Sequence, residues 1–144
     1  MGLSFYVLGG TWQGRYLDSV ERLDIASRVW EDRPPMSLRK DAHAAALLLG
    51  RIYVCGGNSK GETLRLAERF DPESGTWETL QPMSQARVNA VAGSLFGRLH
   101  VCGGFASGHV LQSAECFDAR TDTWAALPPM LSKRRFSVAA TLIS

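Results

Sequence analysis

The chain has 144 residues, 45% hydrophobic and 21% charged, with a formal net charge of +2, so it falls among folded globular chains of about one domain and not among disordered ones. A charge this small argues against a generally polybasic nucleic-acid binder. No run approaches the roughly 18 apolar residues of a bilayer span, and Met1 to Phe5 lack the basic and cleavage regions of a secretory signal. Cys55, Cys102 and Cys116 form no Cys-x-x-Cys pair and leave an odd one over, which fits a reduced, cytosolic protein.

In chain order, the first apolar segment carries Tyr6 and Val7 and ends at Gly9-Gly10. A segment ending at Asp24 follows, then Trp30, then Pro35-Met36. The next stretch, Asp41 to Leu49, is helical by propensity. It is corrected by what recurs in phase with it: Val88 to Leu95 and Phe136 to Leu142 carry the glycine, serine, threonine and valine of a strand. Arg51-Ile52-Tyr53-Val54-Cys55 is a nearly continuous apolar run closed by Gly56-Gly57, as expected of a strand covered on both faces. A third strand ends at Asp71 and a fourth begins at Thr76, with Pro72-Glu73-Ser74-Gly75 as turn chemistry between them.

The pattern repeats every 47 residues. Gly9-Gly10, Gly56-Gly57 and Gly103-Gly104 keep this step, as do Trp30, Trp77 and Trp124, Glu21, Glu68 and Glu115, Asp24, Asp71 and Asp118, and the three Pro-Met pairs ending at Met36, Met83 and Met130. The phases run over 1–47, 48–94 and 95–141, and each unit reads as four short antiparallel strands, a to d from the inside. Such a unit cannot bury both faces alone, so the copies must pack face to face. Radial packing of these sheets is a β-propeller, an all-β architecture.

At Tyr53-Val54-Cys55-Gly56-Gly57, Glu68-Arg69-Phe70-Asp71, Trp77 and Pro82-Met83 the chain resembles the kelch-repeat family. The glycine pairs are read as strand-end backbone and not as phosphate loops, and the tryptophans as inter-blade core. Cys55 and Cys102 share the phase of Leu8 and are expected buried, whereas Cys116 shares that of Arg22 and Arg69 and is expected exposed. The family includes copper-radical oxidases, so a catalytic or small-ligand propeller is the alternative class. The histidines His43, His100 and His109 and the tyrosines Tyr6, Tyr53 and Tyr16 show no ligand spacing, so no cofactor, metal or catalysis is expected.

Antiparallel strand order puts the d-to-a and b-to-c connections on one side. That side carries Arg15, Arg39, Lys40, Lys60, Arg87, Lys133, Arg134 and Arg135 against Asp41 and Glu62, with Trp12, Tyr16, Phe105 and Val110 beside them. Lys40, Arg87 and Arg134 each stand four residues after a repeat methionine. In similar kelch proteins, substrate adaptors of cullin-based ubiquitin ligases, arginines after the Pro-Met element line a pocket for acidic segments. The resemblance implies that role for Arg87 and Arg134, and less closely for Lys40, which lacks the fork of arginine; together with the charge of this side it leads to a module binding acidic protein segments through Arg39, Lys40, Arg87, Lys133, Arg134, Arg135, Trp12, Tyr16 and Phe105, with no nucleic-acid or membrane partner; a cytoskeletal or scaffold role is a third class. Three units are too few to close a ring. Either further blades follow in a longer chain, or two chains join as a homodimer of six blades, which is the expectation for this piece; residues 136–143 of the same or a partner chain are expected to supply strand a of the first blade.

Overall fold

The computed structural model describes residues 3–135, and among them every regular element is a strand. The first blade holds β1 (Ser4–Leu8), β2 (Thr11–Trp12), β3 (Arg15–Tyr16), β4 (Val20–Asp24) and β5 (Val29–Arg33). The second holds β6 (Ala44–Leu48), β7 (Arg51–Cys55), β8 (Asn58–Ser59), β9 (Glu62–Thr63), β10 (Ala67–Asp71) and β11 (Thr76–Thr79). The third holds β12 (Val91–Leu95), β13 (Arg98–Cys102), β14 (Phe105–Ala106), β15 (His109–Val110), β16 (Ala114–Asp118) and β17 (Thr123–Leu127). The second and third sheets run β6-β7-β10-β11 and β12-β13-β16-β17, all antiparallel, and the first runs β1-β4-β5. Its inner position, filled by β6 and β12 in the other two, is open among the described residues. The strand expected over 136–143 lies outside them.

Local chemistry sets these sheets. Leu49-Gly50 and Phe96-Gly97 take φ of 50° and 77° and of 47° and 74°, the two positive values of a type I′ turn whose twist matches the flanking strands. That turn joins β6 to β7 and makes 44–48 a strand despite its alanines and leucines. At the opposite turn, the Asp71 carboxylate accepts from the N–H of Glu73 at 2.9 Å, and Asp24 and Asp118 repeat the arrangement with Ser27 and Arg120. These turn amides are the leading cause holding all three carboxyls below the usual carboxylate range.

The b-to-c connections differ from the loops read in the sequence. Each is a hairpin, β2-β3, β8-β9 and β14-β15, turning at Gln13-Gly14, Lys60-Gly61 and Ser107-Gly108 with positive φ at both residues. Bridges Asp41↔Asn58 and Val88↔Phe105 tie these hairpins to the connections that lead into strand a.

The core lies between blades. At the first joint Val20 and Met36 meet Ile52, Val54 and Phe70, with Tyr6, Leu8 and Trp77 packed against them. The second joint uses the same positions one repeat on: Tyr53, Cys55, Ala67 and Met83 meet Leu99, Val101 and Phe117, with Trp124 alongside. The repeat tryptophans also lock the joints by hydrogen bonds, Trp77 Nε1 donating to Pro34 O at 2.9 Å and Trp124 Nε1 to Gln81 O at 2.8 Å. Cys55 is buried as expected and Cys102 is partly so, and burial pushes the Cys55 thiol up to about 12. Cys116, expected to be exposed, is buried. Its phase is not a solvent phase: Arg69 keeps only 12% of its side chain exposed, because it lies along the sheet between Glu78 and Asp122.

Candidate functional site

Two buried ion pairs sit inside the joints. Lys40 is 0% and Arg87 1% exposed, so neither belongs to the free basic surface expected from the sequence. The Lys40 ammonium donates to the Glu68 carboxylate of the next blade, and the Arg87 guanidinium reaches Glu115 at 3.1 Å. Arg87 Nη1 also donates to Gly103 O at 2.8 Å and Ser113 O at 3.0 Å. A serine completes each carboxylate: Ser37 Oγ donates to Glu68 at 2.6 Å and Ser84 Oγ to Glu115 at 2.7 Å. The physical reason for the correction is that charge removed from water must find a partner, and the glutamate repeating at the 47-residue step supplies one.

The glycine pair aims these cations. The carbonyl of Lys40 accepts from Gly10 N at 3.0 Å, that of Arg87 from Gly57 N at 2.8 Å, and that of Arg134 from Gly104 N at 2.7 Å. A Cβ on Gly56 would stand 2.2 Å from the Arg87 carbonyl oxygen, and one on Gly103 would stand 2.6 Å from that of Arg134. Only a residue without a side chain allows this approach. Arg134 therefore has its backbone seated like the other two, but its side chain is exposed and has no ion-pair partner among the described residues. Glu21, in phase with Glu68 and Glu115, is likewise exposed.

The family model described as the Kelch motif matches residues 2–37, 40–84 and 86–131. The chain belongs to the kelch-motif family. No match to a curated protein was found. Kelch repeats generally mediate protein–protein interaction, which directs attention to the surfaces this kelch chain leaves open.

On the hairpin side of the kelch blades, Trp12 is 63% exposed and pairs across β2-β3 with exposed Arg15. Tyr16 is half-buried beside them. Arg39 is exposed and reaches Asp18 at 3.5 Å, and Lys60 and Lys133 are exposed. Phe105 is half-buried, and the Arg135 guanidinium lies over its ring at 5.3 Å from the centroid. With Lys40 and Arg87 neutralised inside the joints, six of the eight basic side chains expected on this side remain, and Asp18 joins Asp41 and Glu62 against them. The surface is basic, though less so than the raw residue count implied. Between the first two blades a cleft lined by Asp18, Arg39, Lys60 and Glu62 brings both signs together.

The buried carboxylates Glu68 and Glu115 are structural residues that sequence reading missed. Their signal was present, since acidic and basic positions recurred together at one spacing. His43, absent from the other copies at its phase, packs near Lys40. Burial is the leading cause that lowers its pKa to about 4, with the Lys40 charge adding to it. Among the described residues no group of three or more His, Cys, Asp or Glu is placed to hold a metal ion.

Proposed function

We propose that this kelch chain is a protein-binding module whose recognition surface is the hairpin side of the blades, and that it prefers acidic segments. The observation that carries the reading is an exposed Trp12 set directly across a two-stranded ladder from Arg15, with Arg39, Lys60 and Lys133 exposed on the same side. An exposed tryptophan beside an arginine is a pairing that protein interfaces favour. Arg135 and Phe105 extend the surface through the third blade. Lys40 and Arg87 act beneath it, holding blades together, so the contact residues are narrower than the full basic set.

Substrate recognition for a cullin-based ubiquitin ligase is the setting the family resemblance offers, and three free cysteines suit a reducing cytosol. A homodimer of six blades would present two such surfaces on one ring. The test is titration of an acidic peptide followed by calorimetry. Trp12→Ala should weaken binding at least tenfold, Arg39→Ala with Lys133→Ala severalfold, and affinity should fall with added salt. Binding that ignores both salt and these substitutions would refute the reading.

A further inference from the structure

The face that the first blade turns away from the second carries the joint positions of the repeat, with no blade against them among the described residues. Phe5 is 57% and Val7 44% exposed, whereas the residues in phase with them, Ile52 and Val54 in the second blade and Leu99 and Val101 in the third, are buried. Trp30 is half-exposed while Trp77 and Trp124 are hydrogen-bonded to the preceding blade. A Cβ on Gly10 would meet nothing within 4 Å among the described residues, although one on Gly57 would meet Asp41 O at 2.7 Å and one on Gly104 would meet Val88 O at 2.8 Å. Alongside the bare inner edge of β1 runs an apolar groove of ≈ 350 Å³, lined by Phe5, Tyr6, Leu8, Ala46, Leu47 and Ile52 among others.

We propose that a second copy of this chain occupies this face, two copies closing a six-bladed ring through a buried Arg134–Glu21 pair at each of two identical joints. The proposal deepens the homodimer named above and is independent of what the hairpin side binds. Charge complementarity selects the occupant. At each observed joint a cation four residues after the repeat methionine enters the next blade and meets the recurring glutamate; Arg134 is the one cation of that set, and Glu21 the one glutamate, left without its counterpart among the described residues. The Arg134 backbone is already held by Gly104 N and donates to Leu111 O at 2.9 Å, as Arg87 N donates to Leu64 O at 3.0 Å. Transposed by the repeat, the Arg134 guanidinium would donate to the second copy's Gly9 and Ser19 carbonyls, as Arg87 does to Gly103 and Ser113.

One further contact follows from the same transposition. Trp30 Nε1 would donate to the second copy's Pro128 carbonyl, in phase with Pro34 and Gln81. One contact is lost, because Leu131 stands where Ser37 and Ser84 donate to their carboxylates. Geometry favours closure at two copies: six blades divide a circle at about 60° each, three cover half of it, and a head-to-tail contact then closes on itself.

The test is light scattering coupled to size exclusion on the full chain of 15.8 kDa, with folding followed by circular dichroism. The parent should run as a dimer of about 32 kDa, twice the chain mass. Arg134→Glu alone sets two carboxylates against each other at both joints, and Glu21→Arg alone sets two guanidinium groups there. Each should be a folded monomer, its dissociation constant raised at least a hundredfold. Mixed in equal amounts they should recover the dimer, since one joint is then native and the other has its charges exchanged. A parent that is a monomer at tens of micromolar, an open polymer, or single variants that dimerise as the parent does would overturn the proposal. Trp12→Ala distinguishes this from the recognition reading, because it should weaken peptide binding at least tenfold and leave the mass at about 32 kDa.

Discussion

Val54 and Val7 hold the same place in successive blades, and so do Glu68 and Glu21, yet the first of each pair is fully buried and the second faces solvent. The difference between the second-blade joint and the outer face of the first blade is therefore not one of residue choice. Both are written for a neighbour; one has it among the described residues. In a repeat protein, stability resides largely in such interfaces between units. A position's energetic weight follows from the presence of the adjacent blade more than from its own side chain.

The largest test of that contrast is Arg87→Ala. It strands Glu115 in the second joint and should cost about 3–5 kcal/mol in urea unfolding. Arg134→Ala, measured where the chain is monomeric, should stay within about 0.5 kcal/mol of the parent. Exchanging Arg87 and Glu115 together for methionine and leucine should cost far less than Arg87→Ala, since no charge is then left unpaired. Equal losses at 87 and 134 in the monomer would erase the distinction.

Acid should separate the two observed joints from each other. His43, at the first joint, titrates near 4 when folded and at 6.5 when free, so the unfolded chain takes up its proton first as pH falls. Its contribution is intact above about 6.5 and is lost progressively down to about 4, amounting to roughly 3 kcal/mol at most. His43→Ala, which installs the residue that the second joint carries as Ala90, should flatten stability against pH across that window. An unchanged slope would show that His43 is already solvated in the native state.

Smaller effects should follow the packing. Val54→Ala removes two buried methyl groups and should cost about 2 kcal/mol at any protein concentration. Val7→Ala should be nearly silent in dilute solution and become costly only where copies associate. Trp77→Phe, which gives up the bond to Pro34 O, should cost about 1 kcal/mol, and Trp30→Phe less than that in a monomer.

Repeat phase carried most of the architecture. Aligning Asp41–Leu49 with Val88–Leu95 overrode a helical propensity and located β6 before any packing was known. The hairpins β2-β3, β8-β9 and β14-β15 were passed over because two-residue strands leave no hydrophobic period, although Gln13-Gly14, Lys60-Gly61 and Ser107-Gly108 were turn signals at constant phase. Lys40 and Arg87 were misplaced because a cation is ordinarily a surface residue. What distinguishes a buried one is its counter-charge, and Glu68 and Glu115 lie 28 residues further along the chain. Cys116 was misplaced for the converse reason, since the arginines at its phase are themselves covered.

The burial of Lys40 gives the first joint a built-in chemical reporter. The chain has three lysines, of which Lys60 and Lys133 are exposed and Lys40 is sealed against Glu68. An amine-acylating reagent should consume the first two at once and reach Lys40 only as often as the blades part. Acylation there would also remove the charge that balances Glu68, so each modified molecule would be unable to reseal. The rate at Lys40 would thus count openings of a single seam in an otherwise intact molecule.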